Sequence, residues 1–182
     1  RSLEHRWGVL FQDGALFSSL TVGQNVQVPL REHLKLRQPL MDEIASLKIS
    51  MVGLSPDAGT KFPAQLSGGM RKRAGLARAL VMDPEIVFLD EPTAGLDPIG
   101  ATALDQLIIR LHRSLGLTVF LVTHDLDTLF AVCQRIAVLA EKRVLVVGSM
   151  EEVMAFDHPW VQSYFHGPRA RMALRANREQ RN

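Results

Sequence analysis

The sequence contains a single cysteine, Cys133, and no long apolar run. One cysteine cannot form an internal disulfide, so we expect a reducing compartment, and we expect Cys133 in the core because it lies on an apolar helix face. Apolar stretches such as residues 86–89 and 117–122 are much shorter than the roughly 18 residues that cross a bilayer. A disulfide-stabilised scaffold and a membrane-spanning segment are therefore excluded.

The sequence also lacks charge of one dominant sign. Its net charge is +2, but residues 168–182 contain five arginines and one glutamate, which leaves about −2 for the remainder. A nucleic-acid surface needs basic residues spread over a folded face, so we expect no nucleic-acid partner. We interpret residues 167–182 as an Arg-rich extension; a solvated or disordered end, contact across a dimer and contact with anionic lipid headgroups all remain open.

Apolar runs predict a largely parallel sheet. The runs with the composition of buried strands are residues 7–11, 86–89 and 118–122. Because residues 86–89 are apolar at every position, this strand is predicted to be covered on both faces. Two further strands, residues 136–139 and 144–147, are predicted on either side of a polar turn at Glu141 and Lys142.

The segment between the first two predicted strands has helical periodicity instead. Thr21 and Gln24 have the spacing of a capping box, as do Ser149 and Glu152 near the end of the chain. One predicted helix face before Gly53 carries Leu40, Ile44, Leu47 and Met51. The order of elements predicts an α/β fold in which one helical subdomain interrupts a mostly parallel sheet.

Two adjacent carboxylates follow the predicted strand of residues 86–89. Asp90 and Glu91 would lie at the carboxyl end of a buried strand, where α/β sheets place their ligands. P-loop NTPases use such a pair as a Mg²⁺-associated carboxylate and a water-polarising one. Taken alone, the pair is also compatible with two solvated acids in a strand-to-loop turn.

A serine and two glycines precede another predicted helix. Ser67, Gly68 and Gly69 leave the backbone N–H groups at the helix start unobstructed, and the positive end of the helix dipole favours a phosphate there. A serine N-cap with flexible glycines is the alternative for this segment alone. The spacing narrows the choice, because Ser67 precedes Asp90 by 23 residues and Glu91 precedes His124 by 33.

With these motifs in this order, the chain resembles the ABC ATPase family over residues 7 to about 156. The matching positions are Gln12 for the Q-loop, Leu66 to Gly69 for the signature, Asp90 and Glu91 for Walker B, Asp97 for the D-loop and His124 for the switch histidine. The resemblance implies a P-loop NTPase fold of the ABC ATPase type that lacks its N-terminal strands and P-loop. It also implies four parts: a partial RecA-like core with the Q-loop in 1–17, a helical signature subdomain in 18–80, further RecA-like core in 81–166 and the extension in 167–182.

The resemblance implies roles for these residues in binding ATP and Mg²⁺. Glu91 would polarise the attacking water, and His124 would contact the γ-phosphate; for His124 alone, a structural role is the alternative. Asp90 would hold Mg²⁺ through its water shell, and Gln12 would sense Mg²⁺ and the γ-phosphate. The residues expected to complete the nucleotide sites of a head-to-tail homodimer are Leu66, Ser67, Gly68, Gly69 and Asp97.

The P-loop itself, Gly-x-x-x-x-Gly-Lys-Ser/Thr, does not occur in these residues. The one Gly-x-x-x-x-Gly frame runs from Gly95 to Gly100, and Ala101 stands where the lysine is needed. Without that lysine and its nest of N–H groups, the β- and γ-phosphates lose most of their binding energy. Because the chain also starts without an initiator methionine or signal segment, we expect it to be part of a longer ATPase. By itself it should be inactive and should expose apolar core on its sheet.

Short phrases indicate a subfamily. Residues 11–17, 28–33 and 66–70 are similar to those of Mla-type ATPases, also called toluene-tolerance ATPases. This resemblance implies an ATPase that powers phospholipid transport across the Gram-negative envelope from the cytoplasmic face of the inner membrane. It also implies two partners besides the second ATPase subunit, a transmembrane permease and an MCE-domain lipid-binding protein.

Contact with a permease is expected near residues 12–21. Asp13, Leu16 and Phe17 are candidates for an exposed patch that a partner covers, and the alternative is that Leu16 and Phe17 pack inward. Two other functional classes remain open. A soluble ABC ATPase that acts on DNA or ribosomes would carry coiled-coil insertions or a second motif set, and a non-catalytic regulatory fragment would lack a P-loop upstream.

Overall fold

The computed structural model describes residues 6–168 and 170–174. The chain divides into two compact units, one that ends at Thr123 and one that begins at His124. The predicted four-part division at residues 17, 80 and 166 stays a prediction. Most of the predicted extension lies outside the described residues; within it, residues 170–174 are helical, and Ala170 and Ala173 are buried.

A parallel sheet organises the first unit. Its strands are β1 (Trp7–Leu10), β2 (Ile86–Asp90) and β3 (Thr118–Val122), in the spatial order β1-β2-β3. Leu10 lies beside Leu89, and Leu89 lies beside Leu121, so the carboxyl ends of the strands meet at one edge. This arrangement confirms the predicted α/β class with a parallel sheet, and it places Asp90 and Glu91 at the edge where such sheets bind ligands.

Three helices separate β1 from β2, and one separates β2 from β3. They are α1 (Val22–His33), α2 (Gln38–Met51), α3 (Gly68–Ala79) and α4 (Pro98–Leu115). The capping box predicted for α1 is confirmed: the Gln24 N–H donates to Thr21 Oγ1 at 3.2 Å, and the Thr21 N–H donates to Gln24 Oε1 at 2.9 Å. Pro98 opens α4, and Gly116 ends it in the left-handed conformation at φ 65°.

The predicted apolar face of α2 is wrong. Leu40 and Leu47 are exposed, although both belong to the predicted stripe. The buried face instead carries Met41, Ala45, Lys48 and Ile49. The cause is tertiary: α2 packs against α1 and α3, and Lys48 is buried there because its Nζ pairs with Asp83 Oδ1 at 2.5 Å.

The two faces of the sheet have different environments. On one face Leu10, Val87 and Leu89 are buried, and α3 packs against β1. The other face exposes a set of large apolar side chains, namely Trp7 (57%), Val9 (36%), Phe120 (55%) and Val122 (53%). The expectation of exposed core on the sheet is therefore confirmed. The prediction that residues 86–89 are covered on both faces holds only in part: Val87 and Leu89 are buried, whereas Ile86 and Phe88 on the second face are half-buried.

The second unit has its own core. It contains α5 (Leu126–Val132), β4 (Ile136–Ala140), β5 (Arg143–Gly148), α6 (Met150–Ala155) and α7 (Pro159–Phe165). The hairpin β4-β5 turns at Glu141 and Lys142, as predicted, and both residues have positive φ, 52° and 62°. The core side chains are Phe130, Ile136, Val138, Val153, Val161, Phe165 and Ala173. Cys133 packs against this core, and Ser149 and Glu152 form the predicted capping box of α6.

Among residues 6–168 and 170–174, no helix is both long and apolar enough to cross a bilayer.

The exposed apolar face of the sheet is expected to cause self-association. The rings of Trp7, Phe88 and Phe120 form a row across the three strands, with centroids 6.0 and 5.6 Å apart. We expect the isolated 182-residue chain to self-associate through this row, because a contiguous apolar patch on a sheet is an aggregation site. Sedimentation velocity at several concentrations should detect it, and Phe120→Thr should shift the distribution toward monomer.

Ile99→Thr is the matched control for this experiment. Ile99 is 83% exposed but lies on α4, away from the sheet face, so its substitution should leave self-association unchanged. A wild-type chain that stays monomeric and melts cooperatively at every concentration would contradict the expectation.

Candidate functional site

The predicted Q-loop is a tight turn directly after β1. Residues 12–15, here called the Q-turn, begin with one turn of 3-10 helix and leave Gln12 and Asp13 exposed. Three consecutive residues of this turn have positive φ: Asp13 at 60°, Gly14 at 81° and Ala15 at 43°. Such a backbone needs support from its surroundings. Arg78 of α3 supplies it, because Nη2 donates to Gly14 O at 2.9 Å and Nη1 donates to Ala15 O at 2.8 Å.

Helix α3 also packs against this turn without intervening side chains. A Cβ on Gly75 would lie 2.8 Å from Leu10 Cδ1 and 2.9 Å from both Cα and O of Gly14. A Cβ on Gly14 would in turn lie 2.7 Å from the carbonyl oxygen of Arg71. The absence of side chains on both glycines therefore sets the distance between the Q-turn and α3.

The predicted signature residues form the start of the same helix. Ser67 is exposed and is the N-cap of α3, with its Oγ accepting from the Met70 N–H at 3.2 Å. Leu66 is buried, and its carbonyl accepts from Arg71 Nη1 at 3.0 Å. A Cβ on Gly68 or Gly69 would meet Leu96 Cδ2 at 3.8 or 3.9 Å. The structure thus brings the signature next to the predicted D-loop, with the open end of the helix dipole facing outward.

Glu91 has an unusual backbone at the carboxyl end of β2. Its φ is 44°, a left-handed conformation that costs a residue with a side chain on the order of 1–3 kcal/mol. Its N–H donates to Val122 O at 2.9 Å, and its Oε2 accepts from Thr123 Oγ1 at 3.1 Å. Asp90 before it is exposed. The two predicted acids therefore lie together at the ligand edge, and β3 holds the second of them.

A buried lysine lies behind these acids. Lys72 of α3 is 3% exposed, and its Nζ donates to Glu91 O at 2.9 Å. Burial lowers the pKa of Lys72, and the carboxylates of Asp13, Glu91 and Asp90 oppose that effect. One ammonium group is thus in electrostatic contact with the Q-turn and with both acids at the carboxyl end of β2.

The two remaining predicted site residues have other local roles in the structure. Asp97 is the N-cap of α4, and its Oδ1 accepts from the Gly100 N–H at 2.9 Å. His124 is exposed and belongs to the second unit, where its carbonyl accepts from Tyr164 OH at 2.6 Å. The nucleotide contacts predicted for Asp97 and His124 stay predictions.

The donor set at the edge of the sheet fits Mg²⁺ only in part. Within residues 6–168 and 170–174, no group of three or more His, Cys, Asp or Glu side chains could hold a metal ion. Mg²⁺ is usually bound by one or two carboxylates together with phosphate oxygens and waters. An exposed Asp90 beside Glu91 suits a magnesium ion that is also bound by the phosphate oxygens of a nucleotide.

The candidate permease patch is partly exposed. Phe17 is 54% exposed and Leu16 is half-buried, so the inward-packing alternative fits Leu16 better than Phe17. The backbone of Phe17 is fixed by Asn25, whose Oδ1 accepts from its N–H at 2.8 Å and whose Nδ2 donates to its carbonyl at 3.1 Å. Phe11, on the other side of the Q-turn, is 55% exposed.

Sequence reasoning missed three residues that organise the site, Lys72, Arg78 and Thr123. A signal existed for the first: Lys72 has helical spacing with Gly75 and Ala79, so it belongs to the face that packs inward. Arg78 and Thr123 carried no such signal, because their partners are a turn and a strand end distant in sequence.

Comparison with known proteins agrees with this geometry. A profile of the ABC transporter family matches residues 1–94. The probable ribonucleotide transport ATP-binding protein mkl of Mycobacterium tuberculosis is 43% identical over 163 residues, which are 90% of this chain and 45% of that protein. The intermembrane phospholipid transport system ATP-binding protein MlaF of Escherichia coli is 38% identical over 166 residues, which are 91% of this chain and 61% of MlaF. The chain thus spans about half the length of these relatives.

Solved structures show the same likeness. A dimeric ATP-binding cassette in a post-hydrolysis state, bound to ADP and phosphate, matches with a TM-score of 0.71 at 31% identity, covering 79% of this chain and 62% of the other. The cbiO1 protein of Clostridium perfringens, part of the ABC transporter complex cbiONQ, matches with a TM-score of 0.74 at 31% identity, covering 96% of this chain and 68% of the other. The chain belongs to the ABC transporter family of ATP-binding proteins, with the P-loop NTPase fold of that family.

The close contact of α3 with the Q-turn makes Gly75→Ala informative. Helix propensity alone would make this change stabilising by about 1 kcal/mol. We expect the opposite sign, a loss of about 1–3 kcal/mol, because the added methyl meets backbone atoms of Gly14 that cannot move aside. Denaturant unfolding of the full-length protein measures this change.

Gly59→Ala is the control, since its Cβ would make only an ordinary 3.5 Å contact with Ile49 Cδ1. A Gly75→Ala protein as stable as wild type would show that the contact is looser than the geometry indicates.

Proposed function

We propose that the full-length protein is the ATP-hydrolysing subunit of an ABC transporter. The observation that carries the proposal is the Asp90-Glu91 pair at the carboxyl end of the central strand, with Glu91 held in a left-handed conformation by β3. Strain of this kind concentrates at functional sites, where it fixes a side chain in advance of the reaction. Membership of the ABC transporter family indicates that the reaction in which this carboxylate acts is ATP hydrolysis.

The proposed roles are those that the family resemblance gives to these residues. Glu91 accepts a hydrogen bond from the attacking water and orients it, while Thr123 fixes one carboxylate oxygen. Asp90 and Gln12, both exposed, would hold the metal, and His124 would contact the γ-phosphate. ATP with Mg²⁺ supplies the phosphoryl group and charge neutralisation when bound. Most of the rate enhancement in such sites comes from positioning, so holding Glu91 still is a direct contribution to catalysis.

The signature residues are proposed to act on the nucleotide of a second copy. Ser67 is the exposed N-cap of α3 and Gly68 and Gly69 are its first residues, which fits a site completed in trans. The dimeric state of one solved neighbour supports a homodimer. Membership of cbiO1 in an ABC transporter complex supports a transmembrane permease as partner, with Phe17 and Asp13 on the contacting surface.

Phospholipid is the proposed cargo. MlaF is named for intermembrane phospholipid transport and mkl for ribonucleotide transport, so the relatives disagree. The phrases in residues 11–17, 28–33 and 66–70 favour the Mla type. On this reading the subunit works at the cytoplasmic face of the inner membrane with a permease and an MCE-domain lipid-binding protein. Residues 1–182 alone are inactive because they contain no P-loop sequence.

The test of cargo uses the permease complex. Purified in mild detergent with its permease, the protein should retain phospholipid that mass spectrometry of an organic extract identifies, because a lipid transporter holds cargo in its membrane part. Stimulation of ATP hydrolysis by added ribonucleotides other than ATP, with no phospholipid retained, would favour ribonucleotides as the cargo, as in the name of mkl.

The test of catalysis is Glu91→Gln in the full-length protein assembled with its permease. We expect kcat for ATP hydrolysis to fall on the order of 100-fold or more, with nucleotide binding retained, because the amide cannot act as the base. Glu85→Gln makes the same chemical change at the opposite end of β2, where Glu85 pairs with Arg6. That variant should keep wild-type kcat.

Two outcomes would contradict the proposal. Undiminished hydrolysis by Glu91→Gln would remove the catalytic assignment. No hydrolysis by the wild-type complex would favour the alternative of a non-catalytic regulatory subunit.

A further inference from the structure

Lys72 is an unusual residue to find in the interior. Lysine is almost never fully buried unless its ammonium group is paired, yet Lys72 is 3% exposed. Its Nζ donates to a backbone carbonyl, that of Glu91, at 2.9 Å. The lysine stem therefore spans the distance from α3 to the carboxyl end of β2 and ends on the residue proposed to activate water.

The backbone of Glu91 needs such a partner. Its left-handed φ of 44° persists only if neighbouring groups hold it. The N–H of Glu91 donates to Val122 O at 2.9 Å, and its carbonyl accepts from the Ala94 N–H at 3.2 Å as well as from Lys72. Of these contacts, Val122 lies on β3 and Ala94 in the same turn as Glu91. Lys72 ties the residue to α3.

The charged groups around Lys72 are opposite in sign to its ammonium group. Asp13, Glu91 and Asp90 all stabilise its charged form against the effect of burial. A neutral side chain of the same length would leave these carboxylates to repel one another and would leave one side of the Glu91 carbonyl without a donor. Arginine could supply both the charge and the donor, whereas methionine supplies neither.

We infer that Lys72 is a positioning residue that holds Glu91 in its reactive orientation from the signature helix of the same subunit. The inference deepens the proposed function and rests on it. Because the Lys72 hydrogen bond and the Thr123 hydrogen bond restrain the backbone and the carboxylate of Glu91 respectively, loss of either frees part of the residue. A shift of about 1 Å in a reacting group can cost on the order of 100-fold in rate.

The first experiment compares variants of the full-length protein in its permease complex. Lys72→Met should lower kcat for ATP hydrolysis on the order of 100-fold and leave KM for ATP unchanged, since Lys72 is buried and its Nζ bonds the Glu91 carbonyl. Lys72→Arg should recover most of the lost kcat. Lys48→Met is the matched control: Lys48 is also buried, at 4% exposed, but pairs with Asp83 and should keep wild-type kcat even if its melting temperature falls.

The second experiment needs no nucleotide. Hydrogen–deuterium exchange of the peptide covering residues 88–97 should be faster in Lys72→Met than in wild type, because the Ala94 N–H donates to the Glu91 carbonyl within this turn and the Glu91 N–H donates to Val122 O on β3. It should be unchanged in Lys48→Met and close to wild type in Lys72→Arg.

The outcomes separate the inference from the proposed function. An inactive Glu91→Gln together with a fully active Lys72→Met would overturn the inference alone. It would also be overturned if Lys72→Met lost no more kcat than Lys48→Met, or if exchange in residues 88–97 did not change. An active Glu91→Gln would overturn the proposed function itself, and with it the catalytic meaning of the Lys72 contact.

Discussion

The close approach of α3 to β1 and the Q-turn is the constraint on which the site depends. It exists because three positions lack a side chain. A Cβ on Gly8 would lie 2.2 Å from Ala79 O, and a Cβ on Gly75 would lie 2.9 Å from Gly14 Cα. With the helix this near, Arg78 reaches the Q-turn carbonyls and Lys72 reaches Glu91. A helix one side-chain layer further out would lose all of these contacts, so small residues at the interface are as important to the site as its charged ones.

Features written in local sequence could be predicted. The capping boxes at Thr21 and Ser149 depend on residues three apart, and the acids after β2 follow a strand that is visible as an apolar run. Features that depend on a distant partner could not. The buried face of α2 includes Lys48 because Asp83, 35 residues away, neutralises it, and no periodicity rule assigns a lysine to the core. The left-handed conformation of Glu91 could not be predicted either, because it depends on contacts with residues distant in sequence, such as Val122 and Lys72.

Two groups of exposed aromatic residues differ in their meaning. The Trp7-Phe88-Phe120 row lies on a sheet face that in this fold class is normally covered, since both faces of a parallel sheet carry helices. Phe11 and Phe17 flank the Q-turn and are both exposed. Arg78 holds the Q-turn between them, and Asn25 holds the backbone of Phe17. Aromatic side chains on a fixed backbone are favoured at protein interfaces because little conformational entropy is lost on binding.

Helix α3 takes part in the proposed site in two ways. Its N-cap Ser67 is exposed and, with Gly68 and Gly69, is proposed to act on the nucleotide of the partner subunit, whereas Lys72, five residues later, contacts Glu91 of its own subunit. A helix of this length behaves as a stiff rod over one turn. A displacement of its start in the proposed dimer would therefore reach the Glu91 carbonyl through the Lys72 side chain. The left-handed backbone of Glu91 makes that residue responsive, because a strained conformation relaxes once one of its restraints is withdrawn.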